Sequence, residues 1–272
     1  VDLEMIWVEP GTFTMGQTGA GNAQIEHQVT LTKGFYLGKY EVTQAQYEAV
    51  MSGNSDGLSA TPSQYSGNSN RPVEKVSYDD IHKFLTRLNE QEADKLPLGW
   101  SYVLPTEAQW EYACRAGTTT NHSWGDSITT NDANYNNDIG QTTSVGQYAA
   151  NPWGFFDMHG NVWEWTKDAF VSYTSDSRID PFNKGVAGSS RVLRGGSISK
   201  TAAFLWSAFR LYYSPSTRLH DLGFRLSFQY TNRSPSELNS TATLAITENQ
   251  PAGTIVGEFN ATDPEGGAIT YH

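Results

Sequence analysis

Residues 157–168 read DMHGNVWEWTKD and set Glu164 directly between Trp163 and Trp165. That arrangement forces a choice on any fold. Indole rings belong in a core, whereas an unpaired carboxylate carried in with them costs several kcal/mol. Whatever this chain folds into must bring a cation or a set of hydrogen-bond donors to Glu164. Asp157 needs the same provision if its loop is buried.

The rest of the core must also lean on aromatic rings. Among 272 residues there are eight Trp, fourteen Tyr and twelve Phe, set against 25 Gly and 11 Pro. A loop-rich fold pinned by aromatics is expected from that balance. The formal net charge of -11 argues against nucleic acid or anionic membrane as a partner, since both require clustered Lys and Arg. No apolar run is long enough to insert into a membrane. The single cysteine, Cys114, excludes an intrachain disulfide and a cysteine metal cluster. It shares a helical face with Trp110 and Ala113 and reads as inert packing. Beginning at Val1 and ending within AITYH, the chain reads as a fragment of a longer polypeptide.

Strands are expected in MIWVEPGTFTMG, around a Pro-Gly turn, and in HQVTLTKGFYLGKYEVT. Three helices share one punctuation. Thr43, Ser77 and Thr106 are each followed three residues later by Gln46, Asp80 and Gln109, the signature of a capping box. In the second helix Ile81, Phe84, Leu85 and Leu88 form one apolar face. Residues 121–151 read as a long loop. The segments GFFDM, VWEW, RVLRGGS, WSAFRLYY and LGFRLSFQY then imply a small, irregular antiparallel sheet. Composition breaks over residues 230–242, which read as a linker. Residues 243–272 return to strand alternation, as the opening of a second, all-β domain.

The segments WVEPGTFTMG, EVTQAQYEAV, RPVEKVSYDD, LPTEAQWEYACRAGT, GFFDMHGNVWEWTKD, RVLRGGS and LGFRL occur in this order. Together they resemble the formylglycine-generating enzyme, or sulfatase-modifying factor, family, which implies a domain over residues 1–229. The resemblance implies an α+β fold of irregular C-type-lectin-like type with little regular secondary structure. It also implies a structural calcium ion, held by side-chain oxygens of Asp157 and Glu164 and by carbonyls of Met158, Gly160 and Val162. Such hard oxygen donors suit calcium. A second calcium is implied at Asn134, Tyr135 and Asp138. His159, inside the motif, reads as an ordinary polar side chain on a surface loop. In the tail, ENQPAG and ATDPEGG resemble a cadherin-like repeat, with Glu248, Asp263 and Glu265 as calcium-facing carboxylates and further repeats beyond.

The family's oxidase chemistry requires two cysteines after Gly195-Gly196-Ser197, which bind copper(I) as soft thiolates. Lys200 and Leu205 stand at those positions, so copper is not expected and no catalytic residue is assigned. His27, His82, His122, His159, His220 and His272 show no helical ligand spacing, so iron chemistry is not expected either.

Binding is the remaining expectation. Between residues 194 and 225 a framework of Ala202, Ala203, Ser207, Ala208, Arg210, Pro215 and Arg218 recurs. Interspersed are Ile198, Ser199, Thr201, Phe204, Phe209, Leu211, Tyr212, Tyr213, Ser214, Thr217, Leu219, His220 and Asp221. This pattern resembles the variable region of C-type-lectin-like proteins diversified by retroelements. Rigid aromatics mixed with small polar groups suit a surface that recognises a protein or glycan. Arg194, Arg210, Arg218 and Arg225 read as ties from loops to carboxylates and carbonyls. The expectation is a calcium-stabilised, non-catalytic ligand-binding domain on an extracellular or cell-surface multidomain protein of bacterial type. The alternative is a formylglycine-generating oxidase acting on a sulfatase cysteine.

Overall fold

The computed structural model describes residues 1–23 and 25–231, together with the backbone of 237–240 and 259–262. The chain divides into two compact units, one of residues 1–92 and 102–229, the other of residues 93–101 and 230–272.

The first unit opens with β1 (Met5–Val8), β2 (Gly11–Met15), β3 (His27–Leu31) and β4 (Phe35–Gly38). β2 pairs antiparallel with β3, and β1 with β4. The Pro10-Gly11 turn therefore hands the chain from one sheet to another. The helices are α1 (Gln44–Met51), α2 (Tyr78–Glu92) and α3 (Glu107–Arg115), with β5 (Trp100–Val103) ahead of α3. All three expected caps form. Thr43 and Gln46, Ser77 and Asp80, and Thr106 and Gln109 each exchange reciprocal side-chain and backbone hydrogen bonds, satisfying donors that the helix leaves orphaned. α3 stops where Ala116 and then Gly117 enter the left-handed region, at φ 47° and 88°.

β6 (Trp163–Ala169), β7 (Arg178–Ile179), β8 (Arg191–Arg194), β9 (Leu211–Tyr213), β10 (Leu222–Phe224) and β11 (Ser227–Tyr230) follow. β7 adds to β3 in parallel and β11 pairs antiparallel with β4. The remaining sheet runs β10-β6-β8-β9. It departs from the antiparallel expectation at one edge, because β10 lies parallel to β6. The crossover is held by the Lys75 amide on the Leu219 carbonyl at 3.0 Å and the Trp163 amide on the Asp221 carbonyl at 2.8 Å. One expected strand is absent: GFFDM forms none, and residues 153–155 are held in a turn by the Asn151 side chain, which accepts the amides of Trp153 and Phe155. Of WSAFRLYY only Leu211–Tyr213 forms strand.

Tyr47, Phe84, Trp163, Trp165 and Phe224 meet in the larger core, which α1 and α2 cover. Trp110, Ala113 and Cys114 of α3 pack with Val29, Leu31, Phe35 and Leu37 in a second. In the other unit β12 (Glu237–Ser240) pairs antiparallel with β13 (Phe259–Thr262). β12 falls inside the stretch expected as linker: a ladder is built from backbone groups, which polar side chains do not forbid. Glu248, Asp263 and Glu265 lie outside the described residues. Among the described residues no helix is long and apolar enough to cross a membrane.

Candidate functional site

The provision that Glu164 demands is a guanidinium and an indole. Trp110 donates its Nε1 hydrogen to the carboxylate at 2.7 Å, and Arg225 donates through Nη2 at 2.8 Å and Nε at 3.0 Å. Both charged side chains are wholly buried. The other Arg225 hydrogens go to the carbonyls of Gly38, Lys39 and Phe156. Asp157, in the left-handed region at φ 56°, accepts the Gly146 amide at 2.6 Å. Glu41 accepts from the Asn161 side-chain amide at 2.7 Å and the Val162 amide at 3.2 Å. Glu41, Asp157 and Glu164 thus share one arginine. Burial, and then the charges of Asp157 and Glu164, hold Glu41 well above the carboxylate range. Burial pushes Asp157 up to about 6.

The Glu164 carboxylate does not fit the calcium site expected at residues 157–164. Glu164 has both oxygens engaged, and the Met158 carbonyl faces the Cys114 thiol at 3.8 Å. Of the second expected set, Asn134 turns a buried Oδ1 inward that receives no donor. The Tyr135 carbonyl accepts the Asp138 amide at 3.1 Å, and Asp138 itself is exposed. Among the described residues no three His, Cys, Asp or Glu side chains are placed to hold a metal ion.

Four arginines fix the segment from 194 to 225, each against a carboxylate. Arg194 meets Glu111 and also donates to the carbonyls of Ala208 and Phe209. Arg210 forks onto Glu107 at 2.7 and 2.6 Å. Arg218 forks onto Asp80, with both bonds at 2.6 Å. Arg225 closes on Glu164. Glu107 and Glu111 sit one turn apart on α3 and are both buried, so like charges would repel there without the two guanidiniums. Burial alone would raise Glu111, but Arg194 and Arg115 hold it below the ordinary range.

Between these ties lies the expected recognition surface. Thr201, Tyr212 and Ser214 are exposed. Ser199, Phe204, Phe209, Leu211, Tyr213, Thr217, Leu219 and His220 are half-buried. Two residues leave the set. Ile198 is fully buried, its backbone bonded to Asn161 and Asn137, and buried Asp221 accepts the hydroxyls of Ser197 and Ser199. Two rings missed in the sequence join the face: Phe170 lies 4.1 Å from Tyr212 and Tyr65 lies 5.8 Å from His220, centroid to centroid. Both come from distant loops, so no local signal marks them.

Lys200 is half-buried, with Nζ 6.0 Å from the centre of the Phe204 ring. Leu205 is buried in apolar surroundings. His159 is not on the surface as expected. Its Nδ1 donates to the Leu205 carbonyl at 2.7 Å, so Nε2 is the acceptor for the Ser123 amide at 3.2 Å. Burial pushes its pKa down to about 3. Burial likewise pushes the Cys114 thiol up to about 12, leaving it almost no thiolate.

The profile of a family described as "Sulfatase-modifying factor enzyme 1-like domain" matches residues 2–229. The chain is 45% identical over 93 residues to the formylglycine-generating enzyme of Mycobacterium tuberculosis, covering 29% of this chain and 30% of that protein. Its identity to the formylglycine-generating enzyme of Streptomyces coelicolor is 31% over 184 residues, covering 60% and 54%. With the chaperone protein LppX of Paenibacillus barcinonensis it is 30% over 214 residues, covering 61% and 71%. The chain therefore spans under a third of the mycobacterial enzyme and about half of the streptomycete one. Among solved structures, Treponema denticola variable protein 1 matches with TM-score 0.71 and 28% identity, covering 84% of this chain and 95% of that one. PvdO from Pseudomonas aeruginosa has the same fold, with TM-score 0.68, 24% identity and coverage of 83% and 94%.

Proposed function

From a chain that belongs to the sulfatase-modifying factor enzyme 1-like domain family, we propose a non-catalytic C-type-lectin-like module that binds a ligand on its 199–220 face. The division of roles between residues 194 and 225 carries the reading. Four arginines commit their charge to Glu107, Glu111, Asp80 and Glu164, three of them buried and Arg218 half exposed, while aromatic and small polar side chains occupy the positions between. Such a face offers rigid rings for contact area and hydroxyls for adaptable hydrogen bonds. The likeness to a Treponema denticola variable protein supports a face open to sequence change. A protein or glycan encountered outside the cell is the proposed partner. Calcium at residues 157–164 forms no part of this reading.

The likeness to formylglycine-generating enzymes keeps an oxidase as the second reading. Lys200 and Leu205 supply no thiolate for copper(I). Incubation with copper(I), oxygen and a cysteine-containing sulfatase peptide separates the two. No aldehyde is expected, and its formation would overturn the binding reading. Protein and glycan arrays probed with the wild type and with Tyr212→Ala then test the face itself. Loss of a specific signal in the variant is the expected result.

A further inference from the structure

A cavity of about 470 Å³ opens among the N-terminus of α3, the end of β6 and the loop of residues 171–183. Its volume lies within the range of small-molecule sites, about 300–1,000 Å³. Apart from the framework residue Arg210, nothing from the 194–225 segment lines it, so it is separate from the recognition face.

The charges on its wall do not balance. Glu107 and Arg210 cancel through their two-pronged pair. Asp180 is engaged by the amide and hydroxyl of Thr32, and Arg178 lies 3.7 Å from Asp176. Asp180 also lacks an ion pair but is exposed to solvent, so Asp168 is the buried carboxylate left over. It is 6% exposed, and its oxygens accept the amides of Asn183 and Glu107, each at 2.8 Å. No Lys or Arg is in ion-pair contact with it among the described residues; Arg210 and Lys167 act on it only from farther off. The positive end of α3 covers part of that charge, and a cation in the cavity would supply the rest. Burial, and then the neighbouring Glu107 carboxylate, push Asp168 up to about 7, as befits a carboxylate short of a counter-charge.

The mouth has the opposite character. Val171, Ile179 and Phe182 are 49%, 72% and 44% exposed and line one rim. Large apolar side chains exposed together mark a contact surface. Behind them the Tyr173 hydroxyl donates to Glu107 at 3.0 Å, and its ring lies 4.0 Å from the Arg210 guanidinium, so the back wall is fixed.

We propose that this cavity binds an organic ammonium ion with an aliphatic arm, its charged head against Asp168 and its hydrocarbon along Val171, Ile179 and Phe182. A free amine and a lysine side chain of another protein share that chemistry.

Calorimetric titration of the full chain at pH 8 with hexylammonium, hexan-1-ol and the peptide acetyl-Gly-Lys-Gly-amide tests the site. Saturable binding of hexylammonium is expected, at least about tenfold tighter than hexanol. Asp168→Asn should weaken hexylammonium by about tenfold or more and leave hexanol unchanged. Phe182→Ala, at a 44% exposed ring that carries Lys167 Nζ at 4.6 Å, should weaken hexylammonium by about two- to fivefold through lost apolar contact. Leu98→Ala, at an exposed position that does not line the cavity, should change nothing. Binding of the peptide as well assigns the source to a protein lysine; binding of hexylammonium alone assigns it to a free amine, and either supports the site. Equal binding of the amine and the alcohol, no saturation by the amine, or a folded Asp168→Asn that binds as wild type would overturn it. Should Asp168→Asn fail to fold, Phe182→Ala decides, and an unchanged affinity there also overturns the proposal.

Discussion

Arg225 grips both carboxylate oxygens of Glu164 in a pair from which solvent is wholly excluded. Removing one member of such a pair strands the other charge in the interior. Arg225→Met is therefore expected to cost about 3–5 kcal/mol, read by urea denaturation. Glu164→Gln combined with Arg225→Met should restore part of that loss. A single variant as stable as the wild type would refute the arrangement.

Stability should fall as pH rises above about 5. Burial lifts Glu74 to about 7, Asp157 to about 6 and Asp168 to about 7, all above the unfolded value of about 4. Between those values the native state binds more protons than the unfolded chain, so the stabilisation is full below about pH 4 and is lost as pH rises through about 7. Asp80 and Glu111 are held low, Asp80 by its bonds to Arg218 and Ser77 and Glu111 by Arg194 and Arg115, against the upward push of burial. Their contribution disappears only in stronger acid. Calorimetry across pH should show the melting temperature highest near pH 5 and several degrees lower at pH 8. Glu74→Gln should flatten that slope, since Glu74 Oε2 has no donor to lose. A melting temperature that is flat or rising from pH 5 to 8 would contradict this.

Chelation and added calcium should each leave the melting temperature unchanged within about 1 °C. Glu164 has no free oxygen to give a cation. A rise of several degrees with millimolar calcium would count against that assignment.

Cys114 should ignore a thiol-specific disulfide reagent in the native protein and react once the chain is unfolded in guanidinium chloride. Its side chain is fully buried and its thiol is pushed up to about 12. Prompt native labelling would show that the second core opens.

Tyr212→Ala should change stability by no more than about 0.5 kcal/mol, because exposed positions away from caps and cores tolerate substitution. Loss of ligand with the melting curve unchanged would place Tyr212 in recognition. A large loss of stability would place it in the fold.

Much of this was legible in the residues. The helix starts were, because a cap is a local bargain between residues three apart. The arginine ties were legible as a kind, but not their partners: Glu164 announced that it needed a counter-charge, yet Arg225 lies 61 positions away. His159 was misread because loop membership was equated with exposure. Here the loop runs inside, with the side chains of Asn151, Asn134 and Asn161 bonding main-chain carbonyls and amides that a sheet would otherwise pair. The direction of β10 was hidden because alternation reads the same in parallel and antiparallel ladders. The cavity beside Asp168 could not be seen at all, since its walls come from Met15, His27, α3 and the 171–183 loop.

The four ion pairs between Arg194 and Arg225 have a consequence for inheritance. Each draws its energy from a carboxylate on another part of the chain, and none depends on what stands at Thr201, Tyr212 or Ser214. A library randomised at those three positions should consist almost wholly of folded proteins. Substitutions at those positions would change the surface while the molecule beneath it stays the same.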